Sequence, residues 1–138
     1  MLWKPRVIAL LLALSACCCA EAQDDATPEA WAVVKAGEEA RLDIDMVSAV
    51  GPLTRFEVTI AWGGSTASRP SDYIARRVRY AADCKAGTLM VVAVGLFDAS
   101  GRAFKTLISP PGAAEAITPS AGTREKKWLD EVCRAREQ

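Results

Sequence analysis

Histidine does not occur anywhere in the 138 residues of this sequence. Its absence excludes a Ser-His-Asp triad, a Cys-His dyad and a zinc site with histidine ligands. An excess of basic residues is also missing, because 17 Lys and Arg residues balance 17 Asp and Glu residues. Nucleic-acid-binding domains carry such an excess, so no nucleic-acid partner is expected. The composition therefore favours a protein that is not an enzyme and that uses no cofactor and no metal.

No hydrophobic run is long enough to span a membrane, which takes about 20 apolar residues. The run at the amino terminus covers only residues 7–14. It follows Lys4 and Arg6, with no acidic residue before it, and small residues come next. A basic start, a short apolar run and a small-residue exit are typical of a secretory signal peptide. We therefore predict that residues 1–16 are a signal peptide.

The tetrapeptide at residues 14–17, Leu-Ser-Ala-Cys, is similar to a bacterial lipobox and predicts lipidation of Cys17. The alternative is cleavage after Ala22, because residues 20–22 read Ala-Glu-Ala, and this would release a soluble periplasmic or secreted protein. Residue 18 is Cys and not Asp, which favours the outer membrane over retention at the inner membrane. We expect an exported protein attached to the outer membrane by its lipid.

Behind the leader, residues 17–30 are predicted to form a tether and residues 31–138 a single domain. Cleavage before Cys17 removes two basic residues, so 15 basic residues then face 17 acidic ones. The mature chain is slightly acidic, and it has no general attraction to anionic lipid or nucleic acid.

Two of the five cysteines, Cys84 and Cys133, lie in the domain. A cysteine pair in an exported protein predicts a disulfide, which here would contribute about 4 kcal/mol at most in the chain-entropy model. Two buried free thiols or a metal pair are the alternatives. The metal pair is the poorer one, because two thiolates without histidine do not complete a tetrahedral zinc site.

Alternating apolar and polar residues predict a sheet of five to six mostly antiparallel strands. In residues 39–48 the alternation places Ala40, Leu42, Ile44 and Met46 on the core side. The unbroken apolar segment at residues 88–97 is the best candidate for a central strand. The other predicted strands are residues 31–35, 56–62, 102–109 and, as a short edge strand, 116–118, whereas residues 73–81 have a mixed pattern.

The last predicted element is a helix that begins after Thr123 as N-cap. Five residues share one face of it at helical spacing: Trp128, Leu129, Val132, Cys133 and Arg136. The predicted fold is therefore α+β, with the C-terminal helix packed on one face of the sheet and tethered there by the disulfide.

Four short segments carry a recognisable pattern: an Asp-Cys within residues 79–84, a Gly-containing hairpin at 97–101, a Pro-Ser-Ala-Gly-Thr helix entry within 117–123, and a closing Val-Cys within 128–133. Together with Asp45 and Ser48, they resemble the surface-adhesin protein E family. The resemblance implies a curved antiparallel sheet with the helix held on its concave side by the cysteine pair. It also implies an outer-membrane lipoprotein that binds host extracellular proteins such as vitronectin, laminin and plasminogen. Residues 110–116 depart from the family, which often has an aromatic-rich stretch there.

The one local excess of basic residues consists of Arg69, Arg76, Arg77 and Arg79. Arginine recurs at recognition sites because its planar fork pairs with carboxylates and phosphates, so these residues are a candidate binding patch. The alternative is a solvated strand face whose arginines pair with nearby acids. Asp43 and Asp45 are interpreted as solvated residues of one strand face.

The resulting hypothesis is a non-enzymatic envelope lipoprotein that acts as a protein-binding, adhesin-like module. Its partner would be a host extracellular or an envelope protein. The alternative is a periplasm-facing accessory protein, such as an assembly factor or an inhibitor, with no host-binding role. The oligomeric state is left open.

Overall fold

The structure is a computed structural model, and it describes residues 27–63, 73–110 and 112–138. Five strands form one antiparallel sheet in the order of the sequence, β1 to β5, with a short helix before them and a longer helix after them. This confirms the predicted α+β class. The elements are α1 (Pro28–Trp31), β1 (Glu38–Val50), β2 (Leu53–Trp62), β3 (Ala75–Asp83), β4 (Thr88–Phe97), β5 (Ala103–Ile108) and α2 (Arg124–Arg136).

The core lies between one face of the sheet and α2. Alternate residues of β2 and β3 point to this face, and β4 adds Leu89, Val91, Val94 and Leu96, whose spacing changes at a register shift against β3. Three aromatic rings are packed together at its centre, with Tyr80 stacked on Phe56 at 5.1 Å and tilted against Trp128 at 6.0 Å between ring centroids. The buried apolar residues of the cluster are Phe56, Val58, Ile60, Val78, Tyr80, Ala82, Leu89, Val91, Val94, Leu96, Trp128, Leu129 and Val132.

The prediction of a strand at residues 31–35 is wrong. The chain forms a helical turn at Pro28–Trp31 instead, in which the Thr27 hydroxyl accepts a hydrogen bond from the Ala30 amide. Proline suits the first turn of a helix, where its missing N–H is not needed. Pro28 is buried, and Trp31 meets Tyr73 edge to face at 5.7 Å between ring centroids.

A bulge in β1 changes which of its residues face the core. Asp43 is paired with Glu57 but Ser48 with Arg55, so five steps along β1 match two steps along β2. Because the excess is odd, the two faces exchange beyond the bulge. Val47 packs against the core, whereas Met46 is 51% exposed. The expectation that Ile44 and Met46 face the core is therefore wrong.

The C-terminal helix is fastened to the sheet as predicted. The Thr123 hydroxyl caps it by accepting from the Lys126 amide, and Cys84 and Cys133 form a disulfide with Cα atoms 5.6 Å apart. A contact that the sequence analysis did not foresee adds to this. The Arg136 guanidinium donates to the Gly51 and Pro52 carbonyl oxygens and to the Thr54 hydroxyl in and next to the β1–β2 turn.

Two smaller expectations need adjustment. Residues 116–118 do not form a strand, and only Ile117 makes a bridge to Leu89 of β4. The apolar strand β4 is an interior strand, but the central one is β3. Neither helix of the described chain has the length and hydropathy to cross a membrane.

Candidate protein-binding surface

The face of the sheet opposite α2, hereafter the outer face, carries the exposed arginines of the domain's centre. Strand alternation turns Arg55 and Glu57 of β2 outward, together with Arg77 and Arg79 of β3. The antiparallel register places Glu57 directly beside Arg79, and Thr59 beside Arg77. Charged groups from two neighbouring strands are thereby brought together at the middle of a five-stranded sheet.

Arg79 and Glu57 form a cross-strand ion pair. The Arg79 Nη2 and Nε atoms lie 2.9 Å and 3.3 Å from the Glu57 Oε1 atom. The arginine side chain is 50% exposed and the glutamate side chain 15% exposed. An exposed pair of this kind stabilises a fold by about 0.2–1 kcal/mol, so its larger effect is to hold the Arg79 fork in one position.

Arg77 is oriented by a ring and not by an acid. Its guanidinium carbon lies 4.7 Å from the centroid of the Phe97 ring on β4. A Cβ atom added to the neighbouring Gly95 would come within 3.2 Å of this ring, so glycine there leaves the ring room. The cation–π contact fixes the guanidinium plane while its N–H groups stay available to a partner.

Two shallow depressions flank the Arg79–Glu57 pair. One of about 210 Å³ lies toward β1, and the other, of about 190 Å³, lies toward β5. The first is lined by Met46, Ser48, Val50, Arg55, Phe56, Glu57 and Arg79. The second is lined by Glu57, Arg77, Arg79, Ala93, Gly95, Phe97 and Thr106.

Apolar side chains are exposed at both sides of these depressions. Met46 and Val50 are 51% and 44% exposed in β1, and Ile108 is 68% exposed in β5. Ile108 belongs to the outer face because it is paired with Ala93 of β4, which lines the second depression. The outer face therefore combines free arginine forks with apolar contact area.

The predicted arginine patch is only partly assembled by the fold. Arg77 and Arg79 lie together on the outer face, and Arg69 lies outside the described residues. Arg76 is fully buried on the opposite face, so it is not part of an exposed patch. Adjacent residues of a strand point to opposite sides, and the sequence Arg76-Arg77 already carried that signal.

Arg76 holds the segment between α1 and β1. Its Nη2 atom donates to the Glu38 carboxylate at 2.5 Å and to the Val33 carbonyl oxygen at 3.2 Å. Its Nη1 atom donates to the Tyr73 hydroxyl at 3.2 Å. The same Glu38 oxygen accepts from the Lys35 amide. This arginine therefore has a structural role.

Arg55 is a further arginine of the outer face, and the sequence analysis did not include it in the candidate patch. It lies on the outer face with Arg77 and Arg79, and in the described part of the chain neither Arg55 nor Arg77 forms an ion pair with an acid. The sequence did carry a signal for its orientation, because Arg55 alternates with the apolar residues of the second strand together with Glu57 and Thr59. Met46 and Val50 were hidden by the bulge, which has no glycine to mark it.

The remaining predicted residues do not build a reactive centre. Cys17 lies outside the described residues, and Cys84 and Cys133 are joined in the disulfide. Asp43 faces Glu57 across the β1–β2 ladder, and residues 27–63, 73–110 and 112–138 contain no cluster of three acids or cysteines that could hold a metal ion.

No family model matches the chain, and no curated protein matches it. Among solved structures, the fold is similar to that of Haemophilus influenzae protein E in its crystal form II. The two share 10% sequence identity and a TM-score of 0.51, over 77% of this chain and 94% of that chain. At this identity the likeness concerns the fold alone.

Proposed function

We propose that this chain is a non-enzymatic, lipid-anchored envelope protein whose outer face binds a protein partner. The observation that carries the proposal is the pairing of oriented arginines with exposed apolar side chains on one rigid sheet face. Arginine, methionine and aromatic residues are the types enriched at protein interfaces. Here Arg77 and Phe97 lie in contact, and Met46 stands at the edge of the neighbouring depression.

The chemistry of this face indicates the kind of partner. Arg55 and Arg77 are not neutralised by an acid in the described chain, so they are ready to receive carboxylates. The flanking Met46 and Ile108 suit apolar side chains of the same partner. We therefore expect a protein segment that presents Asp or Glu next to apolar residues.

The envelope location is supported by the sequence and by the fold. The leader and the cysteine at position 17 favour export and lipidation. The likeness to protein E in fold agrees with the resemblance to the surface-adhesin protein E family in sequence pattern. A host extracellular protein or another envelope protein fits the expected partner chemistry.

Binding is tested with the mature lipid-free domain, using chemical cross-linking in envelope and host extracellular-matrix extracts. The variant Arg55→Gln/Arg77→Gln removes the two guanidinium groups that form no ion pair in the described chain, and it leaves the core intact. The matched control, Lys127→Gln/Arg134→Gln, removes two exposed charges from α2. We expect the amount of one cross-linked partner protein to fall at least about tenfold with the first variant and to stay unchanged with the control. Equal capture by both variants would refute the outer face as the binding surface.

The side of the membrane is tested separately, by adding protease to whole cells and by labelling them with a fatty-acid analogue. Cleavage of the domain on intact cells is expected for an adhesin, whereas protection would favour the periplasm-facing accessory protein. The label should appear on the wild type and be lost in Cys17→Ala.

A further inference from the structure

A cleft of about 340 Å³ opens on the core side of the sheet, away from the outer face. It lies where α2 no longer covers the sheet, since α2 contacts β1 to β3 while α1 packs against β4. Apolar side chains form its floor and walls: Ala32, Val34, Tyr80, Val91 and Ile117. Its volume is at the lower end of the range found for small-molecule sites, about 300–1,000 Å³.

The rim of this cleft is acidic. Glu29 of α1, Glu115 and Glu125 of α2 supply three carboxylates, and Arg124 is the one basic side chain among the lining residues. The positive end of α2 adds only about half a charge. More than one negative charge is thus left without compensation beside an apolar floor, which favours a cationic ligand.

Tyr80 provides a polar group at the floor. The residue is only 3% exposed, and its hydroxyl makes no hydrogen bond to any other part of the described chain. Burial raises the pKa of this phenol, and the charge of Glu125 raises the pKa further, while Arg76 acts in the opposite direction. The group is therefore a neutral phenol near the Glu125 carboxylate, with a free lone pair for a donor.

We propose that this cleft binds a small amphipathic amine, with an apolar body of about one aromatic ring and a protonated nitrogen. The apolar body covers Val91 and Ile117. The ammonium group lies toward Glu115 and Glu125 and donates to the Tyr80 oxygen. This site is separate from the protein-binding outer face, and it adds a small-molecule ligand to the proposed function.

The test uses 2-phenylethylamine as the probe and 3-phenylpropionate as its anionic counterpart, each titrated into the ¹⁵N-labelled mature domain. We expect amide shifts from the amine to concentrate at residues 32–34, 80, 91 and 117. The anion should bind about tenfold more weakly, because it meets the acidic rim. Equal affinities for the two probes, or shifts spread outside the cleft, would overturn the proposal.

Three variants assign the contacts. Glu115→Gln/Glu125→Gln should weaken the amine about fivefold, and Tyr80→Phe, which keeps the ring stack, about threefold. Glu131→Gln removes an exposed carboxylate of α2 outside the cleft and should stay within about twofold. If Glu131→Gln weakened the affinity for the amine as much as the double variant does, the amine would be held by the general negative charge of the domain. That result would overturn the proposed site.

Discussion

At the scale of single residues, the neighbours Arg76 and Arg77 show how one residue type takes two roles. Arg77 is exposed and lies over the Phe97 ring on the outer face. Arg76 is 0% exposed and contacts Glu38, Val33 and Tyr73. Its Nε atom is buried without a hydrogen-bond partner, so only a few contacts stabilise the buried guanidinium charge. Such a charge is costly once its carboxylate is removed.

The first prediction concerns this buried pair. Glu38→Gln should lower the free energy of unfolding by about 3 kcal/mol, because it leaves the buried Arg76 charge without a counter-ion. Arg76→Met combined with Glu38→Gln should restore at least about 1 kcal/mol relative to Glu38→Gln alone. Urea unfolding of the single and double variants measures this coupling. The exposed neighbour Glu39→Gln serves as control and should change stability by no more than about 0.5 kcal/mol. Strictly additive losses would contradict a coupled pair.

At the scale of elements, the alternation of apolar and polar residues predicted the buried face of a strand correctly where the strand pairing is regular. It failed where the pairing contains a bulge. In β2, Phe56, Val58 and Ile60 are buried as the period of two predicts. In β1 the same reasoning holds for Ala40 and Leu42, which pack against the core. It fails beyond Asp43, because a bulge depends on how the partner strand continues and not on the local sequence.

The second prediction tests this exchange of faces with a pair of adjacent residues. Val47→Asp should destabilise the domain by about 2–3 kcal/mol, because Val47 packs against the core. Met46→Asp should cost no more than about 0.5 kcal/mol, because Met46 is half exposed. Thermal and urea unfolding of both variants gives the comparison. An uninterrupted alternation would give the reverse order of stabilities.

At the scale of the whole molecule, the general architecture was open to prediction, and the candidate binding surface only in part. The apolar spacing of α2, its Thr123 cap and the cysteine pair predicted a helix fastened to one face, which the structure confirms. The outer face could not be assembled from sequence alone. It depends on the register that brings Arg55, Arg77 and Arg79 side by side across two strands. The cleft at Tyr80 is still harder to predict from sequence, because residues of α1, β4 and α2 come together there only in the folded chain.

The order of the strands makes β1 and β5 the two edges of the sheet. The strand β1 has contacts with α2, whereas β5 has none of comparable extent with either helix. In the described chain, the free edge of β5 pairs with no other strand, and Phe104 and Ile108 are 50% and 68% exposed along it. Lys105 stands between them, opposite Leu96 and thus on the core side of the sheet. A charge in this position is a common obstacle to edge-to-edge pairing.

The third prediction is that this lysine keeps the domain from associating through β5. Lys105→Ile should increase the apparent mass with protein concentration, because it removes the one charge of β5 and leaves an exposed, mainly apolar edge strand that can pair with a second copy. Size-exclusion chromatography with light scattering over a concentration series measures the effect. Lys85→Ile, in the turn between β3 and β4, adds the same apolar side chain away from the edge and should elute as the wild type does. Association of both variants to the same degree would assign the effect to general hydrophobicity. If only Lys105→Ile associates, Lys105 prevents a second copy from pairing with the open edge of β5.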